Sequence, residues 1–252
     1  MDWRSLIGLV IALGAIMLGY RIDGGDIAAL IQPSGLLVVL AGTTGALWLQ
    51  SGPGRCWQAL RLLRTGFSRR SPRQAELSGK IKRWSATVRR SGLLALDQRA
   101  DDLDPFAARG LRLLVDGASA EQIADILEED SHGFEQDRRQ LIRIWENAGG
   151  TAPTMGILGA VLGLVQVMQH LTDPSRLGPG IAVAFVSTLY GVGVANLVFL
   201  PVAARLKERL ALELRERDQL MAALVAIAEG EAAHLVEERL SLMRGGHAAR
   251  GV

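Results

Sequence analysis

Cysteine is almost missing from this chain: Cys56 stands alone. A lone thiol rules out an intrachain disulfide and a paired-cysteine redox or zinc centre, so Cys56 reads as an inert side chain. Other chemistry-bearing patterns are absent as well. There is no nucleophile elbow, no phosphate-binding glycine loop and no HExxH pair. The histidines, His132, His170, His234 and His247, are scattered. The run Asp101-Asp102-Leu103-Asp104 lacks the spaced ligands and glycine of a calcium loop, and a cap and turn account for it better. The chain is therefore expected not to be an enzyme and to hold no cofactor or metal. Strand patterning is missing too. No stretch alternates convincingly at period two, so almost no β-structure is expected.

The most informative absence is of charge. Residues 152–171 read APTMGILGAVLGLVQVMQHL and residues 181–201 read IAVAFVSTLYGVGVANLVFLP, with TDPSRLGPG between them. Neither run contains Asp, Glu, Lys or Arg. At about 20 residues each, both are long enough to cross a ~30 Å hydrocarbon core as helices. Small residues recur at i+4: Ala152, Gly156 and Ala160 in the first, Ser187, Gly191 and Ala195 in the second. Such rows let helix backbones approach closely in lipid. Pro153 and Pro201 sit at the inner ends of the two runs, where a missing N–H makes a bendable point. Ser187 and Thr188 place hydroxyls at membrane depth, where polar groups face a neighbouring helix or a water-lined path. Carrying a proton across needs a titratable relay, and these runs offer only hydroxyls and His170. A proton path here would need a carboxylate from a partner.

Two more apolar runs lie near the N-terminus, Leu6 to Tyr20 and Leu36 to Leu49, the second extendable back to Ile31. A signal peptide fits poorly, because Arg4 is a weak basic leader and RIDGGD follows where a cleavage site would be. Basic residues set the topology. The links at 21–33 and 172–180 carry one Arg each, whereas Arg55, Arg61, Arg64, Arg69, Arg70 and Arg73 follow the second run. Arg205, Lys207 and Arg209 follow the fourth. The positive-inside rule then gives four spans with both termini and the large middle segment in the cytoplasm.

That middle segment is electrically split. Residues 50–99 carry twelve Lys/Arg against two acids, and residues 100–150 carry five against twelve. Attraction to anionic lipid explains the basic half close to the membrane, but explains Arg89 and Arg90 less well. A nucleic-acid-binding module is disfavoured, since the basic stretch lacks interleaved aromatics and any known binding motif. Helix signals are plain. Asp104-Pro105 caps and opens a helix through Val115, and Asp116-Gly117 stops it. Ser119 to Gln122 form a capping box for the next helix, with Leu141, Ile144 and Trp145 marking a further amphipathic segment. After Pro201 a long amphipathic helix follows, with Leu206, Leu210, Leu214, Leu220 and Leu224 near helical spacing. Gly230 marks a break before a short helix at 231–243, and residues 245–252 look unstructured. The expected fold is an all-α membrane protein: hairpins at 1–50 and 151–204, a helical cytoplasmic domain at 51–150, and a cytoplasmic extension at 205–252.

Taken together, LIGLVIAL, QPSGLLVVLAGT, RRSGLLALDQ, DPFAARGLRLLVDG, APTMGILGAVLGLVQVM, DPSRLGPGIAVAFVSTLYGVGVANLVFLP and LVAIAEGE are highly specific. The chain resembles the A subunit of the bacterial flagellar stator, the MotA/PomA family, and looks most like its MotC-type members. The resemblance covers nearly the whole sequence. It implies a bacterial inner-membrane homo-oligomer, a pentamer around two single-span B subunits whose membrane aspartate supplies the carboxylate absent here. It also implies that the cytoplasmic domains push on the rotor protein FliG, with no nucleic acid involved.

Residue roles follow from the matching motifs. Arg89 corresponds to the family's rotor-contacting arginine, Arg90 to its basic neighbour, and Asp97 to a rotor-contacting glutamate shortened by one methylene. Gln98 and Ala100 fall where some members have further acids, which thins the acidic side. Pro153 and Pro201 match prolines that couple ion flow to movement of the cytoplasmic domain. Sodium-driven members carry a threonine where this chain has Ala160, paired with one matching Thr188. Losing that hydroxyl removes a candidate sodium ligand, so the expected coupling ion is H+, with Ala160, Ser187 and Thr188 along the path. The implied function is conversion of ion flow into torque on the rotor. The alternative, a TolQ/ExbB-type energiser of outer-membrane processes, has one span before its cytoplasmic region, and the hairpin at 6–49 argues against it.

Overall fold

The computed structural model describes residues 3–66, 104–172 and 174–231, together with Gly79, Ile81, Arg83, Trp84, Thr87 and Gly92. Among the described residues every regular element is helical, as expected. In chain order they are α1 (Trp3–Ile22), a 3-10 turn (Ile27–Leu30), α2 (Pro33–Ser51), α3 (Pro53–Gly66), α4 (Pro105–Val115), α5 (Ala120–Gln169), α6 (Pro174–Val194), a π turn (Ala195–Phe199) and α7 (Leu200–Ala228). The expected helix at 231–243 and the tail at 245–252 lie outside the described residues, apart from Glu231 itself.

Local chemistry accounts for most boundaries. Pro33 opens α2 at a position whose N–H would be unpaired anyway. Gly52 ends α2 at φ +75°, its N–H donating to the Trp48 carbonyl. The Asp104 carboxylate accepts from the Phe106 N–H at 3.2 Å and starts α4. Gly117, at φ +77°, closes the far end of α4. At the start of α5 the capping box is complete: the Gln122 N–H donates to Ser119 Oγ at 3.2 Å, and the Ser119 N–H donates to Gln122 Oε1 at 3.0 Å. Gly230, at φ +75°, follows α7, with the Glu231 N–H reaching back to the Ala226 carbonyl.

Three features differ from the expectation. The amphipathic segment at Leu141–Trp145 and the third apolar run are one 50-residue helix, and Pro153 lies inside it. A proline removes one hydrogen bond, and the long flanking turns keep the helix continuous across the gap. The link expected at 172–180 is shorter, because Pro174 opens α6 at its first turn. Third, a π turn interrupts the fourth apolar run. The Leu200 N–H donates to the Ala195 carbonyl, five residues back, directly before Pro201.

The chain divides into two compact units. One comprises Met1–Arg69 and Arg139–Glu208, the other Arg70–Arg138 and Arg209–Val252. The second has a conventional interior, in which Leu111, Leu114, Ile123, Leu127 and Leu224 are fully buried. The first mixes two kinds of packing. Leu62, Ile142, Ile144 and Leu206 are buried in it, and so are small residues, Ala152 and Ala195 among them, while Ile157, Leu158, Val161 and Phe185 are exposed. Among the described residues three helical stretches are long and apolar enough to cross a membrane: Ile27–Ser51, Ala120–Gln169 and Leu177–Ala228. The apolar stretch of α1, Ile7–Ile22, is shorter.

Candidate functional site

Glycine decides how α5 and α6 meet. A Cβ at Gly156 would lie 2.9 Å from the Ser187 carbonyl oxygen and 3.2 Å from the Cα of Gly191. One at Gly191 would lie 2.6 Å from the Ala152 carbonyl oxygen. One at Gly163 would lie 2.8 Å from the Ala184 nitrogen. The two backbones are therefore in direct contact along most of the pair. The i+4 rows of small residues form this contact, as the sequence led one to expect.

Ser187 sits where three helices meet. It is fully buried, and its Oγ donates to the Val183 carbonyl at 2.6 Å. A side chain at Gly35 of α2 or at Gly159 of α5 would run into Ser187. Thr188, one residue on, is half-buried and turns its hydroxyl toward the Ala184 carbonyl at 3.4 Å. Ala160 is half-buried on α5. His170, at the end of α5, has Nδ1 2.9 Å from the Gln166 carbonyl, one turn back. Pro153 and Pro201 interrupt the hydrogen-bond ladders of α5 and α7.

Two residues that sequence reasoning passed over belong to this region. Tyr190 of α6 donates its hydroxyl proton to the Leu30 carbonyl and accepts from the Gln32 N–H at 3.1 Å. It thereby ties α6 to the turn before α2. Thr43 of α2 is 1% exposed, and its hydroxyl has no protein partner. Nothing in the sequence separates it from Thr44, whose hydroxyl donates to the Leu40 carbonyl at 2.7 Å.

In the other unit the conspicuous group is Arg217. Its guanidinium lies 3.8 Å from the centroid of Phe134 and 4.4 Å from that of Phe106. Nη1 is 3.9 Å from the Asp130 carboxylate, which also lies 3.6 Å from Arg109. Burial pulls the Arg217 pKa down, against the pull of Asp130, Asp104 and Glu213. Nearby, burial and the neighbouring carboxylates of Glu135 and Glu128 push the Asp218 pKa up. The expected rotor-contact residues, Arg89, Arg90 and Asp97, lie outside the described residues. Cys56 is half-buried, burial pushes its thiol pKa up, and its Sγ is 3.6 Å from the Leu47 carbonyl. That environment disfavours the reactive thiolate. Among the described residues no cluster of three His, Cys, Asp or Glu could hold a metal.

Comparison with known proteins gives a consistent result. Residues 98–219 match the family described as "MotA/TolQ/ExbB proton channel family", and residues 6–82 match "Motility protein A N-terminal". The chain is 34% identical over 242 residues to motility protein A of Bacillus subtilis, covering 95% of this chain and 90% of that one. It superposes on a chain in the structure of C. jejuni MotAB with a TM-score of 0.88 at 28% identity, covering 96% of each. Against a chain of the flagellar MotAB stator complex from Bacillus subtilis the TM-score is 0.83 at 33% identity, covering 93% of each.

Proposed function

Because this chain belongs to the motility protein A family, we propose that it is the A subunit of a proton-driven flagellar stator. It is a non-enzymatic channel subunit of the inner membrane that assembles with a MotB-type partner. Four spans with both termini in the cytoplasm, five copies around two B subunits, and FliG as the rotor contact complete the reading.

The observation that carries it is the acid-free contact between α5 and α6. The charge-free runs of the two helices, 152–169 and 181–194, pack backbone against backbone, bring Ser187 and Thr188 to their crossing, and contain no carboxylate to relay a proton through the bilayer. Such a wall works only beside a carboxylate from another polypeptide. Protonation of the partner aspartate removes its charge and lets it leave water for the apolar wall; release restores the charge and drives it back. Each cycle steps the A ring around the B subunits. The segment at 51–150, with Arg89, Arg90 and Asp97 on its rotor-facing side, passes the step to FliG, and Pro153 and Pro201 are the points at which the helices bend. Ala160, where a hydroxyl would favour sodium, leaves the path with fewer oxygen ligands and suits H+.

The test is motility. Produced with its cognate B subunit in cells lacking their own stators, the chain should restore swimming that ignores external sodium and stops with a protonophore. Sodium-dependent swimming would overturn the choice of ion. Failure to restore swimming despite normal membrane levels of both subunits would overturn the stator reading.

A further inference from the structure

We propose that Thr43, Pro153 and the π turn enclose a binding site for one buried water, and that hydrogen bonds through this water set how α5 bends at Pro153 and how α6 bends into α7. The first half stands on geometry alone. The second half rests on the stator reading.

Threonine and serine inside helices ordinarily turn the hydroxyl back onto a carbonyl one turn earlier. Thr44, Thr188 and Ser187 do so here, with Leu40, Ala184 and Val183 as acceptors. Thr43 has the Val39 carbonyl at the same spacing and leaves it unused. Its Oγ1 is buried, faces the interior, and meets neither donor nor acceptor of the protein. A buried hydroxyl without a partner is costly, and polar sites of this kind are where internal waters are held.

The level of Thr43 in the unit is fixed by its neighbours. A Cβ at Gly42 would lie 2.9 Å from the sulfur of Met155, and further along Gln50 Oε1 accepts from Asn147 Nδ2 at 3.3 Å. Helix α2 therefore runs antiparallel to α5, with Thr43 opposite the turn that holds Pro153. Val39, one turn from Thr43, packs with Ala152 and with Ala195, the first residue of the π turn. A Cβ at Gly149 would meet the side chain of Leu200, which follows that turn. The unpaired hydroxyl, the proline inside α5 and the π turn therefore share one layer.

Both backbone irregularities in that layer leave acceptors short of donors. Residue 153 is proline, so the Gly149 carbonyl has no helical N–H. In the π ladder the Leu200 N–H serves Ala195, and the next rung would need an N–H from Pro201, which has none. That leaves the Asn196 carbonyl without a π-type donor. A water typically makes about three hydrogen bonds when buried. Accepting from the Thr43 hydroxyl and donating its two protons to these carbonyls, it joins α2 to the two irregular backbones. The neighbouring side chains, Ala152 and Ala195, offer no competing polar group.

Two measurements decide the matter. A structure of the protein purified from membranes, at a resolution that shows waters, should place density within hydrogen-bond distance of Thr43 Oγ1 and absent from Thr43→Val. Finding the hydroxyl bonded to the Val39 carbonyl with no adjacent water would overturn the site. In motility assays, Thr43→Val and Thr43→Ala should reach the membrane and copurify with the B subunit at wild-type levels, yet swim several-fold more slowly. Thr43→Ser, which keeps the hydroxyl, should recover most of the speed. Wild-type speed in both hydroxyl-free variants would overturn the bending role. A wild-type complex that drives no motility would remove the stator reading and the bending role together, while the density would still decide the water.

Discussion

At Gly191 a single hydrogen atom occupies the place where any other side chain would meet backbone. A Cβ there would lie 2.6 Å from the Ala152 carbonyl oxygen and 3.0 Å from the Gly156 Cα, so neither neighbour can rotate away. Gly191→Val should therefore push α5 and α6 apart. Overpacking typically costs about 1–3 kcal/mol, and a site bounded by backbone belongs at the upper end. Gly150, on the same helix as Gly156, is exposed, and a Cβ added to it would meet nothing within 4 Å. There Gly150→Ala should be neutral or stabilise by up to about 1 kcal/mol through helix propensity. Thermal unfolding of the purified protein compares the two, and equal losses in both would reject the close contact as the cause. The row of small residues was legible in the sequence because period and composition suffice to mark it. Thr43 was not, since whether a hydroxyl turns back on its own helix depends on what faces it across the interface.

Elements follow the same division. The starts of α4 and α5 and the stops at Gly117 and Gly230 were readable, because a cap is a contact among residues close in sequence. The unbroken length of α5 and the π turn before Pro201 were not, because each depends on neighbouring helices holding a broken ladder in place. Charge between elements is also invisible locally. Asp218 on α7 faces Glu128 and Glu135 of α5, and burial together with those carboxylates raises its pKa. The folded chain thus holds that proton more tightly than the unfolded chain. Between the ordinary carboxylate value and the raised one the folded state binds more protons, so stability falls as pH rises through that window. Asp218→Asn removes the effect. The variant should melt above wild type at pH 7 and converge with it as pH drops below the ordinary aspartate range. A gap that stays constant from acid to neutral pH would show that the carboxylate's charge is not the cause.

For the molecule as a whole, the two units expose their large apolar side chains differently. The unit with Leu111, Leu127 and Leu224 inside hides them from water. In the other the charge-free runs pack through alanine, serine and glycine, as at Ala152, Ala195, Ser187 and Gly191, and leave Phe185 of α6 74% exposed, together with Leu162, Val165 and Met168 of α5. Such a surface suits lipid and further protein, since in a bilayer close approach of backbones replaces the drive to bury large side chains. It also presents no acid at either charge-free run, and hydroxyls such as those of Ser187 and Thr188 cannot themselves take up and release a proton at physiological pH. The wall is thus incomplete as a conductor. Reconstituted alone in liposomes under a pH gradient, the chain should give no steady proton current above that of protein-free vesicles. Reconstituted with its B subunit it should conduct, and replacing the aspartate proposed for the partner's membrane span by asparagine should abolish the current. A steady current from this chain by itself would mean that α5 and α6 contain a relay of their own, and the division of labour between wall and carboxylate would fall with it.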